Sequence, residues 1–256
     1  MKTRPAVNLE PAEQEAHDFF VRLGLVVRPV QRTHRKTPEF EIDGDGDGYL
    51  VEVKARRDDD AVGRPWEDDT FHTSASENFS KGVLDNLKKA VRQLKEQDPE
   101  HRRLWIVWLT DETFISQGVG VSQIRGTLLG IKDVVEQKRG SATARTCYYA
   151  QMGAFEALPQ IDMAIISKSD GFEPWLNEFG RPGVVEASLL GRLFRERGSL
   201  NVASEHATEG RSYIVSGGNQ GRTEVHVQAY LTQRYGLTRP LVLSFQRRTA
   251  VGFVPH

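Results

Sequence analysis

Cysteine is nearly absent from this sequence: Cys147 is the only one in 256 residues. A single thiol excludes a disulfide within the chain and a thiolate zinc cluster. Long apolar runs are missing as well. None approaches the ~20 residues that span a bilayer, and Met1 to Glu10 lacks the apolar stretch of a signal peptide. No membrane partner and a cytoplasmic setting are therefore expected. Net charge is close to nil, at −1, which argues against a surface coated all over in nucleic acid. There is no HExxH zinc motif, Walker loop, dinucleotide-binding glycine fingerprint or Gly-x-Ser-x-Gly elbow, and the glycines around Asn219 and Gln220 lack the lysine of a phosphate loop. The seven histidines show no zinc spacing.

What is present is uneven. Arg28, Arg32, Arg35 and Lys36 fall in residues 26–36 with no acid among them, and from 211 onward six arginines face one acid, Glu224. Acids gather at Asp43–Asp47, Asp58–Asp60 and Glu67–Asp69. A basic groove beside an acidic metal pocket fits this distribution, and so does a surface of mixed charge.

Residues 10–23 have Ala12, Ala16, Phe19, Phe20 and Leu23 at helical spacing, stopped by Gly24. Leu25 to Val30 reads as a strand. Glu39 to Asp43 alternates, Gly44 to Gly48 is a turn, and Tyr49 to Lys54 is a strand with Tyr49, Val51 and Val53 opposite Leu50, Glu52 and Lys54. A long polar loop is expected over 57–78, holding Trp66, Phe71 and His72, followed by a helix over 81–97. Leu104 to Leu109 is apolar on both faces, as in a central buried strand. Further along, the pattern predicts helices over 121–138 and 184–197. Strands are expected at 146–152, 161–166, 212–215, 241–245 and 250–254, with a flexible loop over 198–222. The expected class is mixed α/β, with helices flanking a mixed central sheet. The length suits one elaborated domain or two small ones: residues 1–115 as a core and 116–256 as an α+β extension.

One constellation carries chemistry. Metal-assisted phosphodiester hydrolysis needs carboxylates for a hard cation, a placed water, and positive charge for the transition state. Glu39, Glu52 and Lys54 offer these from two neighbouring strands. The two-residue period puts Glu52 and Lys54 on one face, roughly 7 Å apart, and pairing through the Gly44–Gly48 turn brings Glu39 to that side. The alternative is a cross-strand ion pair on a solvated sheet face.

Pro38-Glu39, a hairpin, then Glu52-Val53-Lys54 in an apolar strand resemble the PD-(D/E)xK nucleases, a superfamily that includes restriction endonucleases, archaeal-type Holliday junction resolvases and RecB-like nucleases. Glu13, eleven residues before Gly24, resembles the metal-associated glutamate on the first helix of resolvase-like members. Gln93 in Ala-Val-Arg-Gln-Leu is similar to the glutamine-bearing helix of RecB-like members. The resemblance covers about residues 10–110. It implies a restriction-endonuclease-like αβββαβ core, Mg²⁺ or Mn²⁺ as cofactor, and DNA as substrate in restriction, repair or defence against foreign DNA. It implies Glu39, Glu52, the Val53 carbonyl and Glu13 around the metal, Lys54 as catalytic cation, and Gln93 orienting the water or Lys54. Residues 116–256 would recognise substrate, oligomerise or bind a partner protein. Glu39 stands where the family usually has aspartate, one methylene shorter. That departure keeps open a non-catalytic module that binds nucleic acid or assembles with a partner.

Other signals are weaker. Glu136-Gln137-Lys138 repeats the Glu-x-Lys triplet in a stretch that reads as polar helix. Asp43-Gly-Asp-Gly-Asp47-Gly48 matches half a calcium loop, but position twelve is Lys54 where a bidentate glutamate is required. An acidic, glycine-permitted hairpin turn is the plainer reading. His17 and His72 read as packing or surface residues, and Cys147 as a buried structural thiol. Arg234, Arg239, Arg247 and Arg248 are candidate phosphate contacts, and Trp66 and Phe71 candidate stacking groups.

Overall fold

A computed structural model describes residues 9–30, 37–56, 70–75, 79–111, 117–138, 141–168, 170–216, 223–243 and 248–253. In chain order the elements are α1 (Pro11–Arg22), β1 (Val26–Pro29), β2 (Phe40–Gly44), β3 (Asp47–Arg56), β4 (Thr70–Ala75), α2 (Lys81–Gln97), β5 (Leu104–Asp111) and α3 (Gln117–Leu129). There follow β6 (Lys132–Lys138), β7 (Ser141–Tyr148), α4 (Ala154–Ala157), β8 (Met163–Lys168), β9 (Gly171–Leu176), α5 (Pro182–Ala187) and α6 (Leu189–Glu196). The remainder is α7 (Ala203–Thr208), β10 (Tyr213–Ile214), α8 (Glu224–Tyr235), β11 (Leu241–Leu243) and β12 (Arg248–Phe253). No helix among the described residues is long and apolar enough to cross a membrane.

The chain forms two compact units, and each draws on residues from both sides of position 115. The first comprises Met1–Ala55, Asp85–Thr110 and Leu158–Leu200. Its six-stranded sheet has the order β1-β2-β3-β5-β8-β9. It is mixed: β1, β2 and β3 form an antiparallel meander, β8 lies parallel to β5, and β9 returns antiparallel to β8. The β2–β3 turn takes left-handed backbone at Asp45 (φ 52) and Gly46 (φ 84), the two-residue geometry that matches the twist of paired strands. β5 sits inside the sheet, and its run from Leu104 to Leu109 is buried on both faces, as the unbroken apolar sequence requires. Phe20, Phe40, Ile42, Leu50, Trp108 and Ile165 are all buried. Phe19 ties α1 into this core, with ring centroids 5.2 Å from Trp108 and 4.5 Å from Phe172.

One ionic cluster knits the first unit together. Asp162 is wholly buried. It accepts from the Trp105 backbone N–H at 2.7 Å, and from Arg181 through Nε at 2.9 Å and Nη2 at 2.7 Å. His101 Nε2 lies 2.9 Å from the same carboxylate. Arg181 also donates to the carbonyls of His101 and Arg103, at 2.7 Å each. The start of β5, the start of β8 and the entry to α5 are thereby held at one point.

The second unit comprises Arg56–Leu84, Asp111–Ala157 and Asn201–His256. It holds a four-stranded sheet in the order β10-β7-β6-β11 and a two-stranded pairing of β12 with β4. Val134, Cys147, Tyr213, Val227, Leu231 and Val242 are among the buried residues of its core.

The second half of the chain departs from the sequence reading in several places. The helix expected over 121–138 stops at Leu129. Gly130 takes φ 57, and a Cβ there would lie 2.0 Å from the Gln151 carbonyl oxygen. The residues beyond it pair as β6 with β7. Glu136-Gln137-Lys138 is therefore at the end of a strand, not in a helix. The helix expected over 184–197 is broken by extended backbone at Ser188 (φ −68, ψ 159), whose hydroxyl caps α6 by accepting from the Gly191 N–H. The strand expected at 146–152 is earlier, at Ser141–Tyr148. The loop expected over 198–222 contains α7, anchored by buried Val202 and Ala203, while β10 falls within the strand expected at 212–215. Within the loop expected over 57–78, residues 70–75 form β4. The helix α8 and the strand β9 were not legible in the pattern.

Candidate active site

The site is built where β2 begins and β3 runs inside the sheet. Phe40 pairs with Val51, and the Glu39 N–H donates to the Val51 carbonyl at 3.1 Å. Pro38, the residue before it, has no N–H to extend the ladder. The Val53 N–H donates to the Glu39 side chain, whose Oε2 accepts at 2.9 Å. The methylene that distinguishes glutamate from aspartate gives the reach for this cross-strand bond. Glu39 is thus held as a side-chain continuation of the ladder.

Glu52 points into the protein, with no exposed surface. The solvated-face ion pair is excluded on that ground. Its Oε1 accepts from Lys54 Nζ, two residues along the same face. With both carboxyls ionised, its buried Oε2 meets no hydrogen-bond donor among the described residues. The carboxyl lies against that of Glu39. Burial first, then the shared hydrogen bond with Glu39 and its negative charge, push the Glu52 carboxyl up to about 10, against the opposing pull of Lys54. Two adjacent carboxylates and one ammonium would leave a buried negative charge, which favours the protonated form of Glu52 in the absence of a cation.

Lys54 is 18 % exposed at its side chain. Beyond Glu52 it donates to Gln93 Oε1 at 3.0 Å. Gln93 projects from the flank of α2, next to the inner stripe of Val83, Leu87, Ala90 and Leu94. Its amide Nε2 donates to the Thr37 carbonyl at 3.1 Å. The amide is therefore oriented at both ends: nitrogen to a carbonyl, oxygen to the ammonium. Thr37 was not expected at the site. Its only sequence signal is its place directly before Pro38-Glu39, and its Oγ1 is a second buried atom with no partner among the described residues.

Glu39, Glu52, Lys54 and Gln93 are thus brought together. Glu13 is buried on α1 in a different engagement: its Oε2 accepts from the Glu10 N–H at 3.0 Å, completing a capping box with Pro11 in the first turn. The glutamate three residues after the N-cap was the signal for that role. Among the described residues no three His, Cys, Asp or Glu side chains converge as a metal cluster.

The acids of the β2–β3 turn diverge. Asp43 pairs with Arg28 at 2.6 Å, Asp45 with Arg192 at 2.9 Å, and Asp47 accepts from the Leu189 N–H at 2.6 Å. Three different partners in three directions leave no calcium cradle. His17 packs at the surface beside Asp18 and Phe40. Cys147 is buried and in no disulfide. Arg32, Arg35, Lys36, Trp66 and Arg247, and the side chains of Phe71, His72 and Arg248, lie outside the described residues.

Comparison with known proteins finds no match: no family model, no curated protein and no solved structure is similar to this chain.

Proposed function

We propose that the Glu39–Glu52–Lys54–Gln93 site is the centre of a metal-dependent nuclease acting on DNA, on a restriction-endonuclease-like core. The observation that carries the reading is the buried Glu52 carboxyl, set against a second carboxyl, Glu39, and flanked by Lys54. A structural ion pair has no use for a second acid at that point, since two adjacent carboxylates disfavour each other's charge. A divalent cation resolves it.

The residues fit such an ion. Magnesium is held through one or two carboxylates, with water and substrate phosphate completing its shell. Glu52 and Glu39 supply the carboxylates, and the Val53 carbonyl is the backbone oxygen between Glu52 and Lys54. Glu13 remains a candidate further ligand, its Oε2 also accepting from the Glu10 N–H. A bound Mg²⁺ or Mn²⁺ would supply Lewis acidity and a water of lowered pKa.

The chain's own residues do the rest. Lys54 presents a fixed positive charge beside the carboxylates, where it stabilises negative charge developing on a phosphate oxygen or orients the attacking water. Gln93 holds the ammonium in place from one side and Glu52 from the other. Burial of Glu52 keeps the dielectric low around these charges, which strengthens each of them.

The reading is tested by incubating the protein with linear, supercoiled and single-stranded DNA and with RNA, in Mg²⁺, Mn²⁺ or EDTA. Metal-dependent cleavage of DNA is expected. Binding of nucleic acid without cleavage under any metal favours a non-catalytic subunit instead.

A further inference from the structure

The helix that delivers Gln93 also carries charge that no described residue pairs with. On α2, Lys88, Lys89, Arg92 and Lys95 are all exposed, and none has an ion-pair partner among the described residues. Asp85 and Glu96 share the helix and stand four residues from Lys89 and Arg92 respectively. Spacing of that kind permits pairing, yet neither pair closes, and this stretch keeps a surplus of two positive charges. The inner stripe of Val83, Leu87, Ala90 and Leu94 fixes which side of α2 faces solvent. Lys89 is one turn before Gln93 on the same flank, with Cβ atoms about 5–6 Å apart by helix geometry. Lys88, Arg92 and Lys95 follow at helical spacing across the outer face. The cations therefore begin at the edge of the candidate active site and run away from it.

We infer that this face of α2 is a track for the phosphate backbone of a nucleic acid whose scissile phosphate lies at Glu39, Glu52 and Lys54. The inference rests on the nuclease reading and adds the surface that holds the substrate. Three of the four groups are lysines, point charges on flexible stems that contact phosphates without reading bases. The track therefore positions the strand and confers no sequence preference.

The experiment measures binding of fluorescent duplex and single-stranded DNA by anisotropy, in EDTA to prevent cleavage, from about 50 to 200 mM salt. The full chain is compared with a quadruple variant, Lys88→Gln, Lys89→Gln, Arg92→Gln and Lys95→Gln. Glutamine keeps helix propensity close to that of lysine and arginine, and circular dichroism checks that the variant is folded. Each lost phosphate contact removes about 0.9 from the logarithmic salt slope on duplex and about 0.7 on single strands. Four lost contacts make the duplex affinity of the variant less salt-sensitive by on the order of a hundredfold across that window. Lys54→Ala lowers the slope by one contact at most. A folded quadruple variant with the parent's slope and affinity overturns the inference, and so does failure of the parent to bind. Metal-dependent cleavage by the parent, with no slope change in the variant, removes the track and leaves the nuclease reading intact. A shallower slope with no cleavage under any metal does the reverse.

Discussion

Glu39 Oε2 accepts a hydrogen bond from the Val53 N–H at 2.9 Å, so a side chain stands where a strand would otherwise continue. The same carboxylate lies against buried Glu52. One residue thus closes the β2–β3 ladder and sets the second carboxylate of the site. Glu39→Asp is expected to shorten the reach and free the Val53 N–H. Metal-dependent activity should fall about 10- to 100-fold, the usual cost of disturbing a group that orients a metal site. Cleavage rates titrated against Mg²⁺ check this, and an unchanged Mg²⁺ requirement removes Glu39 from the site.

Glu52 gives the protein a distinctive pH dependence. Its carboxyl is raised from an ordinary 4.5 to about 10 in the folded chain. Between those values the unfolded chain gives up a proton that the folded chain retains. The unfolded state then binds fewer protons, and Glu52 lowers stability progressively as pH rises through that window. Glu52→Gln removes the titration. Its melting temperature relative to the parent should therefore climb from pH 5 to pH 9 in EDTA. Parallel curves for the two proteins contradict the assignment.

Gln93 joins Lys54 to the Thr37 carbonyl. Gln93→Leu keeps the volume of the side chain and removes both hydrogen bonds. Lys54 loses one of its two anchors, and kcat is expected to fall roughly 10- to 100-fold while KM changes little. Single-turnover cleavage separates this from weakened binding. A rise in KM alone would show that Gln93 touches substrate and does not position the lysine.

Asp162 supports the first unit away from the site. Burial alone would raise its carboxyl, but the hydrogen bonds from His101, Arg181 and the Trp105 N–H outweigh it and hold it below the ordinary 3.8. That stability is present above 3.8 and is lost as pH falls further. Arg181→Met leaves a buried charge without its main partner and should cost about 3–5 kcal/mol. Urea unfolding at pH 7 reads the loss, and a change below 1 kcal/mol would mean that His101 and backbone donors suffice.

Much of the first hundred residues was legible because local signals and burial agree there. The alternation in β3, the turn at Asp43–Gly48 and the doubly apolar β5 each follow from short-range pattern. What the pattern does not carry is long-range partnership. Ile106 pairs with Met163 across more than fifty residues, and nothing in either segment names the other. Gly130 hid the end of α3 because the apolar spacing runs on past it, whereas the Gln151 carbonyl that leaves no room for a Cβ there is distant in sequence. At the site, residue type and strand face placed Glu39, Glu52 and Lys54 together, while Gln93, on a helix, was signalled only by the family resemblance. Glu13 carries a cap that the same pattern also signals, a glutamate three residues after the N-cap. Thr37 was invisible because it contributes a backbone carbonyl, which no residue type advertises.

The central claim is that Lys54, held by Glu52 and Gln93, acts in metal-dependent phosphodiester cleavage. Single-turnover cleavage of supercoiled DNA in Mg²⁺ by the parent and by Lys54→Ala tests it most directly. Parental cleavage abolished by EDTA, with a loss of about 100- to 1,000-fold in a folded Lys54→Ala protein, is the predicted result. Cleavage that persists at the parental rate in Lys54→Ala contradicts it.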